Sequence, residues 1–390
     1  MKAFRGEEPK GMGISRGKTD WKTEVVAVGS PKKVNTDQRS LEALDRACRL
    51  IQEGELVAFP TETVYGLGAN GLDGRACTKI FEAKGRPMDN PLILHIYDVA
   101  QVEELAEEII PRAKKLMEDL WPGPMTLVFK KKPQVPKEVT AGGDTVGIRM
   151  PVHPVARAFL KKCDLPIAAP SANLSGRPSP TNAQDVYQDM NGRLPLILDG
   201  GLCSIGIEST VIDLTREPAI ILRPGFYTPE DLTPYLPGVR LDQGLLEEGQ
   251  IPRSPGQKYK HYAPQARMSV FLGPKEIVEK RLVKEYLQRK SQGRIGLLLF
   301  EDSIEPVKKA IEEVTGRSPF ILSQGKTDDL LYMSQMLFTH LRQFDREKME
   351  EILAMGVESK GYGVSIMNRM KKAAGGRIIA LSSSIREKDF

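Results

Sequence analysis

The chain has 390 residues, of which 40% are apolar, and its formal net charge at pH 7 is +5. A chain of this length is expected to form two domains, and its apolar content is sufficient for ordinary globular cores. There is no run of eighteen apolar residues, so no membrane span is expected. The modest charge, without a long basic run, does not indicate broad nonspecific binding to nucleic acids.

The N-terminal segment is charged and lacks the apolar core of a secretory signal peptide. Residues 1–38 are predicted to be a flexible extension, in which residues 13–19 miss the spacing of a phosphate-binding P-loop. The chain contains four scattered cysteines: Cys48, Cys77, Cys163 and Cys203. Their lack of paired spacing is typical of reduced thiols, not of disulfides or a zinc site. We therefore expect a cytoplasmic protein.

The stretch 56–95 is predicted to form a strand, a glycine turn, a helix, a basic turn and a second strand. Thr61 and Thr63 are two residues apart, so a strand would present both hydroxyls on one face. The glycines of residues 66–71 match the dinucleotide-binding pattern G-x-G-x-x-G. That match is weak, because Pro60 and the two threonines interrupt the apolar strand that should precede it.

Lys84 and Arg86 follow the helix of this stretch. An arginine fork and a lysine point charge can neutralise phosphates, although such residues can also merely complement a helix C-terminus. Asn90 lies in a tight, proline-bounded turn that would fix where the two cations point, which favours the functional interpretation. His95 lies in an otherwise apolar run, where a lone histidine is more often structural.

Further strands and short helices continue to about residue 236 and predict a mixed α/β domain. Residues 171–181 follow an apolar strand and bring together small donors, among them Ser171, Asn173 and Ser179. Ligand-binding loops lie at such strand ends, although the same residue types occur in any surface loop.

Two arginines end strands of this domain and are candidates for anion binding. Arg149 could hold a carboxylate through its two parallel donors, and Arg223 could hold a phosphate. Ser209 precedes an apolar strand, where a hydroxyl is ordinary. The four histidines lack metal-ligand spacing, and no Ser-His-Asp or Cys-His arrangement is suggested. Positioned cations and hydroxyls without a nucleophile suit a reaction between bound ligands, accelerated by proximity and charge stabilisation.

Residues 237–265 are rich in glycine, proline and charge, and predict a long linker. A structureless segment of this length is usually disordered or functional, and the basic and aromatic residues at its end favour function. From residue 266 onwards, strands alternate with helices, which predicts a parallel, doubly wound sheet. The predicted organisation is thus an extension (1–38), a mixed domain (39–236), a linker (237–265) and a parallel domain (266–390).

A series of motifs, in order, resembles the YrdC-type threonylcarbamoyl-adenylate synthases. They are FPTETVYGLGAN, KGRPMDNPL, WPGPMTLVF, TVGIRMPVHP, PIAAPSANLSGRPSPT, GIESTVIDL, ILRPG, SPGQKYKHYAP and GYGVSIMNRMKKA. The resemblance covers the chain from about residue 41, and the two-domain layout is similar to the longer, C-terminally extended members. It implies an α/β fold in which a twisted mixed sheet carries a concave ligand site. A smaller Rossmann-like parallel α/β domain would follow the linker.

This resemblance implies a nucleotidyltransferase that condenses L-threonine, bicarbonate or carbon dioxide, and ATP into threonylcarbamoyl-AMP with release of pyrophosphate. A partner transferase would then use the product to form threonylcarbamoyladenosine in tRNA, and direct contact of this chain with tRNA stays open. Mg²⁺ is expected with the triphosphate, without a metal site on the protein. One alternative is a non-catalytic RNA- or nucleotide-binding module. A carbamoyl-transfer maturation factor is disfavoured, since the chain has no Cys-x-x-Cys.

The resemblance also implies roles for individual residues. The ATP-binding residues are expected to be Lys84, Arg86, Asn90, Thr145, Ser171, Asn173, Ser179, Arg223 and Tyr262. The threonine-binding residues are expected to be Thr61, Thr63, His95, Arg149, Ala169 and Ser209. Catalysis is assigned to Lys84, Arg86, Ser171 and Asn173, which should hold the phosphates, and Tyr262 should fold over the nucleotide from the linker.

Overall fold

A computed structural model describes residues 21–29, 34, 36–242, 254–255, 261–291 and 293–382. The strands are β1 Glu24–Ala27, β2 Val57–Phe59, β3 Gly66–Asn70, β4 Ile93–His95, β5 Met125–Lys130, β6 Thr145–Arg149, β7 Ile167–Ala168, β8 Leu196–Asp199, β9 Thr210–Asp213, β10 Ile220–Arg223, β11 Arg240–Leu241, β12 Arg267–Leu272, β13 Ile295–Leu299, β14 Phe320–Ser323, β15 Glu351–Met355 and β16 Ile378–Ala380. The helices are α1 Gln38–Gln52, α2 Gly74–Lys84, α3 Ala100–Leu105, α4 Pro111–Leu120, α5 Lys137–Thr140, α6 Pro154–Cys163, α7 Ala183–Met190, α8 Pro229–Leu232, α9 Lys275–Arg289, α10 Glu301–Thr315, α11 Leu330–Arg346 and α12 Gly363–Ala373.

The first domain is built on one mixed, eleven-stranded sheet in the order β1-β8-β2-β3-β7-β4-β6-β5-β9-β10-β11. The parallel pair β4–β6 places His95 opposite Arg149, and the antiparallel pair β5–β6 places Thr126 opposite the same arginine. This register therefore brings His95, Thr126 and Arg149 together where β4 and β6 end and β5 begins. The remainder of these strands is mainly apolar and buried.

Helix α2 ends in a way that sets the direction of the basic turn. Its N-cap Asp73 accepts hydrogen bonds from the first-turn amides. At its other end, Gly85 adopts the left-handed conformation (φ 59°), and the amide of Arg86 bonds back to the Phe81 carbonyl. Lys84 and Arg86 consequently leave the helix on a defined, reversed path towards the sheet.

Two expectations for the N-terminal half are wrong, namely the wholly flexible extension and the four reduced cysteines, and the dinucleotide-binding match that the sequence analysis found weak is excluded. Glu24–Ala27, placed in the flexible extension, forms β1 and pairs with β8, because its short strand pattern gains a partner from a distant segment. The glycine pattern is not a phosphate loop, since Gly66–Asn70 is a strand that pairs with β2 as a hairpin. Cys48 and Cys163 are joined in a disulfide with Cα atoms 5.0 Å apart, because α1 packs on α6 despite a separation of 115 residues.

The second domain confirms the predicted parallel, doubly wound arrangement. Its five strands lie in the order β14-β13-β15-β12-β16, and every pairing is parallel. Residues 243–253 and 256–260 of the predicted linker lie outside the described residues. None of the helices in the described ranges combines the length and the apolar character that crossing a membrane requires.

Candidate active site

A cavity lies against the first domain's sheet, and Pro255, His261 and Tyr262 of the linker complete its wall. It encloses about 580 Å³ of space, part of it open to solvent. The residues that line it are Thr61, Thr63, Val64, Gly66, Arg86, Ile93, His95, Arg149, Ala169, Pro170, Ser171, Glu208, Ser209, Arg223, Pro255, His261 and Tyr262. Three guanidinium groups thus face the cavity with one carboxylate, so its wall favours anionic ligands.

Thr61 and Thr63 meet at one side of the cavity. Their hydroxyl oxygens are 2.9 Å apart, and the Thr61 hydroxyl also donates to the Val64 carbonyl over 2.6 Å. The two residues lie in the bend between β2 and β3, not on a strand as their spacing suggested. In this bend the amides of Thr63 and Val64 donate to the Thr61 hydroxyl oxygen. The two hydroxyls are therefore brought together by the hydrogen bonds of a turn, and not by the alternation of side chains along a strand.

Arg149 is anchored from the side by Glu62, which stands between the two threonines. Its Nη2 lies 2.6 Å from a Glu62 carboxylate oxygen, and its Nη1 donates to the Thr63 hydroxyl over 2.9 Å. Both charged side chains are buried. The Arg149 Nε is also buried and has no partner among the described residues, so an unused donor is held at the cavity wall.

His95 forms the floor beside Arg149. Its Nδ1 lies 3.2 Å from the Ile93 carbonyl, and its ring meets the Phe59 ring edge-on at 5.9 Å. Burial, reinforced by the neighbouring guanidinium of Arg149, lowers the pKa of His95 to about 3. The imidazole is therefore neutral at physiological pH and provides shape and a hydrogen bond, not charge.

Ser209 links this end of the cavity to Arg223. The Ser209 hydroxyl is 2.8 Å from the Thr126 hydroxyl and accepts from Arg223 Nη2 over 3.1 Å. Arg223 Nε additionally donates to the Ser209 carbonyl over 3.1 Å. Burial lowers the pKa of the Arg223 guanidinium, although an arginine remains charged at neutral pH. These bonds fix the Arg223 guanidinium at the cavity wall beside Ser209.

Lys84 lies directly behind the loop that follows β7. Its Nζ donates to the Ser171 carbonyl and, over 2.5 Å, to the Asn173 carbonyl. The Ser171 hydroxyl in turn donates to the Asn173 side-chain oxygen over 2.5 Å. Burial, with a further contribution from Arg86, lowers the pKa of Lys84 well below its ordinary value. The lysine and the Ser-Asn pair thus form one hydrogen-bonded unit.

Arg86 reaches the cavity from the basic turn. Its guanidinium donates to the Asn90 carbonyl over 3.3 Å and to the Pro91 carbonyl over 3.1 Å. The turn therefore aims Arg86, as its proline-bounded sequence suggested. The Asn90 side-chain oxygen is buried and finds no partner in the described part of the chain.

Glu208 is the carboxylate among the residues that line the cavity. One of its oxygens accepts from the Ser179 hydroxyl over 2.6 Å, and the other lies 3.1 Å from Arg369 Nε. Burial raises the pKa of Tyr262 to about 12, with Glu208 adding to the effect. The Tyr262 ring stacks on Phe338 of α11 with centroids 5.2 Å apart, so the linker residue is held against the second domain.

Of the fifteen predicted site residues, ten line the cavity. Lys84, Asn90, Asn173 and Ser179 stand one layer behind, and each is bonded to a lining residue. Thr145 does not line it. It begins β6, four residues from Arg149, and pairs with Lys130 at the far end of the strand. Its assignment to ATP therefore has no geometric support in this structure.

Three residues of the site were missed by the sequence analysis. Glu62 and Glu208 each stand beside threonine or serine inside a quoted motif, PTET and GIEST, and that juxtaposition was the available signal. His261 lines the cavity, and its Nε2 is buried without a partner among the described residues. Burial, then Arg86 and Lys372, lowers the pKa of His261 to about 3.

The described residues do not form a resident magnesium site. Within the described ranges, no group of three histidine, cysteine or acidic side chains is placed to hold a metal ion. Glu208 is the single carboxylate among the lining residues, and both of its oxygens are already bonded. A divalent cation needs several free oxygen ligands, so any Mg²⁺ would depend on the oxygens of its ligand.

Comparison with known proteins places this geometry in context. Residues 49–225 match the family model described as "Telomere recombination", and residues 227–375 match "Threonylcarbamoyl-AMP synthase, C-terminal domain". The chain is 44% identical over 335 residues to the threonylcarbamoyl-AMP synthase of Bacillus subtilis, covering 86% of this chain and 93% of that protein. It is 45% identical over 334 residues to the Pyrococcus abyssi protein of the same name, covering 85% and 94%.

Solved structures give the same result. The crystal structure of P. abyssi Sua5 complexed with L-threonine matches with a TM-score of 0.81 and 40% identity, over 92% of this chain and 99% of that one. A variant of P. abyssi Sua5 matches with a TM-score of 0.83 and 39% identity, over 93% and 100%. The similarity thus covers both domains and the linker between them.

Proposed function

The chain belongs to the YrdC-type threonylcarbamoyl-AMP synthase family, in its two-domain form, and on this premise we propose that it makes threonylcarbamoyl-AMP. It would do so from L-threonine, bicarbonate or carbon dioxide, and ATP, with release of pyrophosphate, as a nucleotidyltransferase. One observation carries the proposal. One cavity is lined in one part by Arg149 with the Thr61 and Thr63 hydroxyls and in another by Arg86 with Ser171, and Lys84 and Asn173 are bonded to Ser171 from behind the wall.

The Arg149 end suits an amino acid with a small hydroxylated side chain. Arg149 would bind the carboxylate through a charge-assisted hydrogen bond, and its unpartnered Nε is placed to contribute. Thr61 and Thr63 supply hydroxyls beside it. The neutral ring of His95 limits the pocket without adding charge that would repel an ammonium group. A relative crystallised with L-threonine supports this assignment of ligand.

The Lys84 end suits a polyphosphate. Arg86 and Arg223 offer planar donors that match phosphate oxygens, and Lys84 adds a charge behind the Ser171 loop. Lys84 is bonded to carbonyls, not to a carboxylate, and its pKa is depressed. A bound phosphate would supply the missing anion and favour the charged lysine. The binding energy of the phosphates would thus be coupled to the conformation of the Ser-Asn loop.

The reaction follows from holding both ligands in one cavity. The threonine amine adds to carbon dioxide and loses a proton, which gives a carbamate. A carbamate oxygen then attacks the α-phosphorus of ATP, and the bond to pyrophosphate breaks. The bound ligands react with each other, so the protein supplies proximity and positive charge for the developing pyrophosphate. Closure by Tyr262 would exclude water from a labile carbamate and a labile mixed anhydride.

The product is an activated acyl group, so a transferase must consume it before it hydrolyses. We place this chain before a transfer of threonylcarbamoyl to an adenosine of tRNA. The test is pyrophosphate release by the purified protein, with threonine and bicarbonate each left out in turn and the product identified by its mass. Release that needs both supports the synthase. Release with neither identifies an ATP pyrophosphohydrolase, and no release together with tRNA binding identifies an RNA-binding module.

A further inference from the structure

Two buried arginines of the second domain, Arg342 and Arg369, form hydrogen bonds and ion pairs with residues of the first domain. Arg342 of α11 donates to the Pro178 carbonyl and forms an ion pair with Asp189 at 2.8 Å. Arg369 of α12 forms an ion pair with Glu208 at 3.1 Å, and Glu208 lines the cavity. We propose that Arg369 is a positioning residue of the nucleotide site, which acts through Glu208. The proposal rests on the proposed function and extends it to the second domain.

Arg369 joins two segments that carry site residues. Its side chain is completely buried. Nε and Nη2 donate to the Glu208 carboxylate and carbonyl over 3.1 and 3.3 Å, and Nη1 donates to the Pro224 carbonyl. Glu208 directly precedes Ser209, and Pro224 directly follows Arg223. One guanidinium therefore fixes the ends of β9 and β10 relative to each other, and with them the cation at Arg223.

The buried carboxylate of Glu208 is neutralised by its ion pair with Arg369. Burial by itself would raise the pKa of this carboxyl, but the guanidiniums of Arg369 and Arg223 hold its pKa below the ordinary value. Glu208 is therefore ionised in the wall of the cavity to which we assign the nucleotide phosphates. An unneutralised carboxylate there would repel the phosphates. Arg369 balances it from behind and leaves the other oxygen to orient the Ser179 hydroxyl.

Arg369 also contacts the residue that closes the cavity. Its guanidinium carbon lies 6.0 Å from the centroid of the Tyr262 ring, whose stacking partner is Phe338 of the second domain. Ser179, Glu208 and Tyr262 are thus organised from α11 and α12. Within the described part of the chain, Arg369 forms hydrogen bonds with Glu208, Pro224 and Ser365, and none with Thr61 or Arg149. Replacing Arg369 should therefore affect the two ligands differently. The affinity for ATP should fall more than the affinity for threonine.

The test is calorimetric binding of ATP and of L-threonine, each alone, to full-length variants. Arg369→Met should weaken ATP binding at least tenfold and change threonine binding less than threefold. Arg369→Lys keeps the charge but not the three-way geometry, so its ATP affinity should lie between those of wild type and Arg369→Met. Arg346→Met is the matched control, because Arg346 also pairs across the domain boundary, with Asp185 at 2.8 Å. Its ATP affinity should stay within twofold of wild type.

A double variant tests the route through Glu208. Adding Glu208→Gln to Arg369→Met removes the unbalanced charge, so ATP affinity should recover at least threefold even if the single variant is poorly folded. Wild-type ATP affinity in Arg369→Met, an equal loss for threonine, an equal loss in Arg346→Met, or no recovery in the double variant would each overturn the proposal. Binding needs no turnover, so an inactive wild type that shows this binding pattern counts against the proposed function alone.

Discussion

Arg149 and Glu62 form an ion pair at 2.6 Å in which both side chains are buried. Glu62 comes from the bend between β2 and β3, and Arg149 ends β6, so the pair connects two distant segments at the wall of the cavity. Breaking a buried pair leaves an uncompensated charge and costs about 3–5 kcal/mol. The pair therefore holds the guanidinium in one orientation, with its Nε at the end of the cavity assigned to threonine.

The first prediction concerns threonine recognition by Arg149. Arg149→Lys keeps the charge but removes the planar fork, so the contact to Thr63 or the ligand carboxylate is lost. We expect threonine affinity to fall at least tenfold, or about 1.4 kcal/mol, with ATP affinity changed less than threefold. Calorimetry of each ligand measures this. Arg157→Lys is the control, because Arg157 bonds to the Tyr97 carbonyl outside the cavity. Unchanged threonine affinity in Arg149→Lys would remove Arg149 from the pocket.

The second prediction concerns the lysine behind the Ser-Asn loop. Lys84→Met keeps the length of the side chain but leaves the carbonyls of Ser171 and Asn173 without their donor. We expect pyrophosphate release to fall by about 100-fold or more, the range found when one group that stabilises a transition-state charge is removed. Lys79→Met is the control on the same helix. It loses only an ion pair with Glu55 between partly exposed side chains, so it should keep wild-type activity.

Thermal unfolding of both variants distinguishes a loss of catalytic activity from a loss of stability. A Lys84→Met protein that melts near the wild-type temperature and releases pyrophosphate at the wild-type rate would exclude Lys84 from the mechanism. Parallel losses in Lys84→Met and Lys79→Met would point instead to general damage of α2.

The third prediction concerns closure by Tyr262. Its ring is buried and stacks on Phe338, so packing and not acidity is expected to dominate its role. Tyr262→Phe keeps the stacked ring, and we expect its KM for ATP to remain within threefold of wild type. Tyr262→Ala loses the ring, and we expect its KM for ATP to rise at least tenfold. Initial rates measured at varied ATP concentrations give the KM for ATP of each variant. Equal KM values for Tyr262→Ala and wild type would show that the tyrosine does not cover the nucleotide.

The fourth prediction concerns stability in acid. Burial lowers the pKa of His340 to about 4, against 6.5 in an unfolded chain. Below pH 6.5 the unfolded chain binds a proton that the folded protein excludes, so the free energy of unfolding falls as the pH drops towards 4. This group alone should remove about 2 kcal/mol of stability between pH 7 and pH 5. His340→Leu should therefore lose about 2 kcal/mol less than wild type over that range.

Urea unfolding of wild type and His340→Leu at pH 7, 6 and 5 measures this difference. His340 lies outside the cavity, so pyrophosphate release at pH 7 serves as the control and should be unchanged. Parallel stability curves for the two proteins would show that the pKa of His340 is the same in the folded and the unfolded protein.

The α/β class and the parallel second domain were predictable from the sequence, and ten of the fifteen residues predicted for the site line one cavity. Strand and helix periods are local properties, so the alternation after residue 266 predicted the sheet that β12 to β16 form. Local pattern marked candidate residues, and the family resemblance then assigned them to ligands. Cations and hydroxyls that hold anions stand at strand ends and in tight turns, as Arg149, Arg223 and the Ser171 loop do, and those positions are readable along the chain.

The tertiary structure alone decided which distant residues meet. Arg369 and Glu208 are 161 residues apart, and no local period relates them. Their contact depends on how α12 packs against the ends of β9 and β10. The joining of Cys48 to Cys163 likewise required α1 to lie on α6, and β1 became a strand because β8 offered it an edge. Packing of whole elements sets these contacts, and the sequence specifies that packing through the entire core, not through any single motif.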